Sequence, residues 1–317
     1  MDQTSNQRTD SPDLQPIKVC PICGNPRLRQ IFKVDHARED SLHDCGKELG
    51  FTTATVVLCR DCSFRFKAQQ PPSSYLNQHY ANSGEEYLAS LAEDNTMVRE
   101  DFRVARQLLN VAFPGGGTIL DVGCASGFFL KSLGEGWNRF GVEPFHLAAE
   151  RARKLRGLAV RECDLVAAGF PEQSFDVVCC FDVLEHLPTP MPFLREVRRL
   201  LRLGGRLLLG TGDCGSLTAR LSGRRWTYLC IPEHLSFFNR NSLKTALTKV
   251  GFSCVRFERI HHGERSPSVM TGWMRAVGKH WAVTLCGDKI VRLRIFRRKT
   301  ADFLVPYFFD HLICEAR

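Results

Sequence analysis

Thr118-Ile119-Leu120-Asp121-Val122-Gly123-Cys124-Ala125-Ser126-Gly127 decides the fold. The first half is a short apolar strand, the second a glycine-punctuated turn, and Phe128–Leu133 starts a helix. Strand, glycine turn and helix in this order make a nucleotide-binding geometry. Glycine lets the backbone come close to a ligand, and the first N–H groups of the helix face it. The dinucleotide fingerprint G-x-G-x-x-G is not met, because Ala125 and Phe128 stand at its second and third glycines.

Elements of matching type lie on either side. Upstream, Ala105–Phe113 reads as an amphipathic helix that stops at Pro114-Gly115-Gly116-Gly117. Downstream, Arg139–Glu143 is a second strand ending in a carboxylate, 22 residues past Asp121 and close to the roughly 20 expected of a ribose-binding acid. An ionised carboxylate only accepts hydrogen bonds, so Glu143 can take both hydroxyls of a diol. Asp164 closes a third strand and could accept from an adenine amino group; Asp121, Glu143 and Asp164 could equally cap local turns. Phe175–Phe181 is an unbroken apolar run, as a strand buried on both faces of a parallel sheet requires. Gly205–Gly210 and Phe252–Ile260 read as the fifth and sixth strands and 310–317 as the last. Asn241-Ser242 caps a helix with Leu243, Ala246, Leu247 and Val250 on one face.

With those residues in place, the chain resembles the class I S-adenosylmethionine (SAM)-dependent methyltransferases, specifically a small-molecule type with an amino-terminal zinc module. The resemblance is carried by Leu120–Gly127, Val142-Glu143-Pro144, Ser174–Val178, Asp182–Leu187, Leu201–Gly205 and Glu233–Phe238. It implies an α/β, Rossmann-like, seven-stranded and mostly parallel sheet with flanking helices. The implied methyl-donor site comprises Asp121, Gly123, Cys124, Ala125, Gly127, Glu143, Asp164 and Phe181. The chain departs at Ala125, where the family usually has glycine, and at Leu203, where proline is common.

Methyl transfer needs alignment above all, plus a base if the acceptor is a hydroxyl or an acidic carbon. The loops after the fourth and fifth strands should supply it. The first carries Asp182, Glu185 and His186, which either cap and orient the next helix or act as acid and base. Similar residues in quinone-type O-methyltransferases imply a divalent ion. The second is a long segment, 211–239, read as an irregular lid. It carries Glu233 and His234, with Trp226 and Tyr228 placed to stack on a substrate ring or simply to pack. His234 is the first choice for general base, since a free imidazole titrates near 6.5; the bland alternative is a hydrogen bond that pins the lid. Related sugar C-methyltransferases carry Tyr-x-Glu-His here, whereas this chain has Ile231 in the tyrosine's place.

The amino-terminal region has a different chemistry. Cys20-Pro21-Ile22-Cys23 and Cys59-Arg60-Asp61-Cys62 form two knuckles about 35 residues apart. Four thiolates suit tetrahedral Zn2+ and leave no open position, so the site would be structural. Redox or merely buried cysteines are the alternative, and His43 or Cys45 could compete as ligands. Thr52–Leu58 could complete a hairpin. The expected organisation is a disordered tail over 1–18 and a zinc module over 19–75. A helical connector follows over 76–110, with Tyr75, Tyr80 and Tyr87 in or beside it, either to pack the connector or to form an aromatic wall over the substrate site. The SAM-dependent domain spans 111–317 and contains a basic helical insertion at about 261–309.

The 14 cysteines come without an export signal, and the net charge is +9. A cytoplasmic chain with reduced thiols is expected. The run Lys289–Lys299 holds six basic residues and no acid; it is a solvated helical face, a peripheral membrane contact or an attractor for a phosphorylated substrate. A small-molecule acceptor is expected, with O-methylation of a secondary metabolite or saccharide precursor first and no nucleic acid. C- or N-methylation of a nucleotide-linked sugar, methylation of RNA or protein, and a non-enzymatic SAM-binding module are the alternatives.

Overall fold

The computed structural model describes residues 13–36, 53–81, 99–253, 255–260 and 310–317. The first five strands are β1 (Gln15–Pro16), β2 (Leu28–Asp35), β3 (Thr53–Cys59), β4 (Arg65–Lys67) and β5 (Gln69–Gln70). β1 pairs antiparallel with β5, so part of the expected disordered tail is a short strand. The hairpin expected of Thr52–Leu58 forms between β3 and β2, from Leu28 opposite Cys59 to Asp35 opposite Thr53. Both knuckles close in the same way. Gly24 N–H donates to the Cys20 carbonyl at 2.9 Å and Ser63 N–H to the Cys59 carbonyl at 3.0 Å, and Gly24 and Ser63 both have positive φ. Of the expected connector, the helix Ser73–Ala81 starts three residues ahead of it and the helix Glu100–Ala112 runs two residues past it.

The main sheet takes β6 (Gly117–Val122), β7 (Trp137–Val142), β8 (Leu158–Arg161), β9 (Phe175–Phe181), β10 (Leu201–Gly212), β12 (Val255–Ile260) and β13 (His311–Ala316). Their spatial order is β12-β13-β10-β9-β6-β7-β8. All pairings are parallel except those of β13, which runs antiparallel to both neighbours. This is the seven-stranded, mostly parallel sheet expected. The apolar run of β9 lies at its centre, with Val177, Val178, Cys179 and Cys180 fully buried. The strand order reverses between β6 and β9, and such a switch point opens a crevice beyond the carboxyl ends of the strands.

Two expectations change. The segment 211–239 is folded rather than irregular. It contains helices Leu217–Ser222 and Thr227–Cys230 and strand β11 (Ser236–Phe237), and Trp226, Leu235, Phe237 and Phe238 are completely buried. A tryptophan with no exposed surface holds such a segment down by a few kcal/mol. The helix Arg240–Lys249 starts two residues earlier than expected. Asn239 is its cap, because the Asn239 side chain accepts from Ser242 N–H while the Ser242 hydroxyl accepts from Asn239 N–H.

β11 is also the edge of a second sheet, of order β11-β4-β3-β2. The four-cysteine module and the segment 211–239 therefore share one ladder. Phe64 and Phe66 belong to the same apolar cluster as Leu209, Phe238 and Leu243, so the expected boundary near 75 does not divide the core. The basic insertion at 261–309 lies outside the described residues, as do His43, Cys45 and Tyr87. No described helix is long and apolar enough to cross a membrane.

Candidate active site

The turn expected to hold the methyl donor sits at the end of β6. Gly123 and Gly127 have φ of 72° and 77°. A Cβ on Gly123 would meet Val183 at 2.6 Å, and one on Gly127 would meet Leu158 at 2.7 Å. Ala125 is also left-handed, with φ of 45°. The Glu143 carboxylate reaches back across the turn; Oε2 accepts from Ala125 N–H at 2.8 Å and Oε1 from Phe145 N–H at 2.9 Å. Burial pushes its carboxyl up to about 6. Each oxygen keeps a second lone pair for a hydroxyl donor.

Two polar atoms in this region are buried without a partner among the described residues, Asp121 Oδ1 and Ser126 Oγ. Burial pushes the Asp121 carboxyl up to about 8. Unmet acceptors beside side-chain-free backbone fit SAM, which brings ammonium and hydroxyl donors. Phe181 closes the floor with Phe129 and Phe102, at ring separations of 4.9 and 5.3 Å. The Cys124 thiol faces inward, where a Cβ on Gly141 would meet it at 2.6 Å, which leaves its backbone as the part facing the turn. Asp164 is exposed, and one of its oxygens caps a turn by accepting from Ala167 N–H at 2.8 Å.

The acceptor side gathers residues distant in sequence. Glu185 and His186 form one turn of 3-10 helix after β9. His234 comes from the segment after β10, and its ring stands edge-on to that of His186 at 4.8 Å. His234 Nδ1 lies 3.0 Å from the Tyr228 carbonyl; a carbonyl only accepts, so Nδ1 carries the hydrogen and Nε2 presents a lone pair. Burial, then the neighbouring His186 and Lys67, hold His234 well below the usual imidazole range. Burial also lowers His186, whose Nδ1 lies 2.8 Å from the Tyr80 hydroxyl. Beneath them, the Glu185 carboxylate accepts from the hydroxyls of Tyr228 and Thr211, and burial pushes it up to about 7.

One atom each of Glu185, His186 and His234 lies within 4.8 Å of the others. The ion implied by the quinone-type resemblance would thus meet His234 together with Glu185 and His186. Asp182 is engaged by Arg99 at 2.7 Å. Glu233 is buried and acts electrostatically on Lys67 and His186. Trp226 stacks on Tyr228 at 5.1 Å; with Trp226 fully buried and the Tyr228 hydroxyl on Glu185, this pair packs the site from behind.

Cys20, Cys23, Cys59 and Cys62 converge. The Sγ separations are 3.6 Å for Cys20–Cys62 and 3.5 Å for Cys23–Cys59. These exceed a disulfide and approach the edge of about 3.8 Å in a tetrahedron of zinc–sulfur bonds.

The sequence reading missed Lys67, Arg99, Thr211 and His311, whose ring stands edge-on to that of Tyr228 at 5.3 Å. All are single polar residues inside otherwise ordinary strands and helices or at their edges, and only the pairing of distant elements brings them to the site.

A family model described as a methyltransferase domain matches residues 97–256, half of the chain. The chain belongs to that family, and its Rossmann-like sheet is a SAM-dependent methyltransferase domain. Among curated relatives, a tRNA U34 carboxymethyltransferase of Alteromonas mediterranea is 31% identical over 57% of this chain and 58% of its own length. A ubiquinone biosynthesis O-methyltransferase of Pseudomonas paraeruginosa is 35% identical over 30% of this chain and 44% of its own. The chain thus spans about half the length of the curated relatives it matches. Among solved structures, a Burkholderia thailandensis 1,6-didemethyltoxoflavin-N1-methyltransferase aligns over 82% of this chain and 97% of its own. Its TM-score is 0.48 and its identity 15%.

Proposed function

We propose that the chain transfers a methyl group from SAM to a hydroxyl of a small-molecule acceptor, with His234 as general base. The observation that carries this reading is the His234 ring: its Nδ1–H is committed to the Tyr228 carbonyl and its Nε2 is unprotonated at the acceptor side. Bound at the β6 turn, SAM supplies an electrophilic methyl on a sulfonium. His234 Nε2 accepts the acceptor's hydroxyl proton, and the lone pair left on oxygen becomes the nucleophile. The His186 ring, anchored through Tyr80, holds the facing edge of the site. Glu185, fixed by two hydroxyls, supports the floor. Zn2+ bound by Cys20, Cys23, Cys59 and Cys62 serves structure, since four thiolates fill its coordination.

A second reading is methyl transfer to RNA, favoured by the likeness to a tRNA U34 carboxymethyltransferase. Incubating the chain with methyl-labelled SAM, a small-molecule extract and, separately, tRNA tells them apart. Label in the small-molecule fraction supports the first reading, and label confined to tRNA replaces it with the second. A His234→Ala chain with undiminished S-adenosylhomocysteine affinity and full turnover removes His234 as the base. Calorimetry showing no S-adenosylhomocysteine binding by the unmodified chain ends both readings.

A further inference from the structure

Lys67 is a fully buried lysine on β4, opposite Val56 of β3. Its Nζ donates to the Pro232 carbonyl at 2.8 Å and to the Ile231 carbonyl at 3.1 Å. Its backbone N–H donates to the Leu235 carbonyl at 2.9 Å. One residue therefore grips the chain on both sides of Glu233-His234. From the other direction, Leu235 N–H donates to the Glu185 carbonyl at 2.8 Å, and Gln70 Nε2 donates to the Lys67 carbonyl at 3.0 Å. A buried ammonium has a large desolvation penalty and persists only where carbonyls and a counter-charge replace water. Such a site is poorly explained by packing alone, because an apolar side chain would fill the same space without that penalty.

The geometry points to Lys67 as a positioning residue of the methyl-transfer site, reaching out of the four-cysteine module to clamp the Ile231–Pro232 carbonyls and so fix His234 opposite His186. This rests on the reading of His234 as the base. The clamp has an electrostatic consequence. The groups facing Lys67 are Glu233 and Cys230, which favour its charge, and His36, His186 and His234, which burial lowers first and the Lys67 charge lowers further. Burial lowers Lys67 itself to about 7. A neutral amine still has two N–H groups, so the clamp outlasts the charge as pH rises.

The test uses the full chain, with histidine rings labelled for NMR and His234 assigned by its loss in His234→Ala. In the unmodified chain, His234 should show the Nδ1–H form at neutral pH. Lys67→Gln keeps a donor but loses the charge, and the His234 titration should move up by about one pH unit. Lys67→Met loses both, and the Nδ1–H form should give way to a mixture. Lys67→Arg restores the charge and should return the titration toward its original position. Chains with intact S-adenosylhomocysteine affinity and an unaltered His234 spectrum in Lys67→Gln and Lys67→Met overturn the role. If neither variant folds, the Lys67 ammonium signal in the unmodified chain decides: protection from exchange and titration near pH 7 support the clamp, and free exchange with ordinary titration overturns it. Loss of S-adenosylhomocysteine binding in the unmodified chain would instead sink the reading on which the inference rests.

Discussion

Asp121, next to last in β6, has an oxygen without a partner among the described residues, in surroundings that push its carboxyl up to about 8. A carboxyl raised that far should hold its proton at pH 7 in the ligand-free chain. The positive charge of SAM favours the ionised form, so binding should expel that proton and affinity should rise with pH toward 8. Calorimetry at pH 7 in buffers of different ionisation enthalpy should show release approaching one proton per SAM bound, and Asp121→Asn should abolish it. At Ala125 the sequence carries a Cβ in a left-handed turn, where an L-residue costs about 1–2 kcal/mol. Ala125→Gly should stabilise the chain by about 1 kcal/mol in urea unfolding, offset in part by the greater freedom glycine gives the unfolded chain. The glycine turn and its ribose-side acid were legible in the sequence because their spacing is local. The backbone hydrogen bonds already made by Glu143 were not, since they depend on how the turn folds back over β7.

Among the elements, β11 most changes the meaning of its segment. It is a two-residue strand whose Ser236 and Phe237 sit opposite Phe66 and Arg65 of the four-cysteine sheet. Metal at the knuckles and order at His234 should therefore fail together. Binding energy at a structural zinc is folding energy. Chelation, or Cys59→Ser, should lower the melting temperature and deprotect the amides of residues 231–237 along with those of β3 and β4 in hydrogen exchange. Metal analysis should find one zinc per chain before treatment. Protection of residues 231–237 that survives complete metal removal would separate the two. The sequence marked the knuckles strongly, through paired Cys-x-x-Cys. It gave no sign that their sheet recruits a strand some 170 positions later, because two residues carry no readable alternation.

At the scale of the whole molecule, one apolar cluster joins the four-cysteine module to the main sheet, from Cys20, Phe64 and Phe66 through Leu120 and Val178 to Leu243 and Ala316. Module and methyltransferase domain should unfold in one transition. Phe64 stacks on Phe66 at 5.5 Å and touches Phe238 at 4.9 Å. Phe64→Ala should cost about 3–5 kcal/mol and shift fluorescence and metal release to the same lower denaturant concentration. Two separated transitions would show that the cluster does not couple them.

What the sequence determined by itself was the sheet, the donor turn and the thiolate knuckles. Apolar runs, glycine spacing and Cys-x-x-Cys are patterns within a few residues, and chain physics acts on them locally. Only the tertiary structure decided the acceptor side. Lys67, Tyr80, Glu185, Tyr228, His234 and His311 belong to separate elements, and their proton affinities follow from burial and mutual charge. Those quantities exist only once β4, β10 and β11 have brought the residues out of water and within reach of one another.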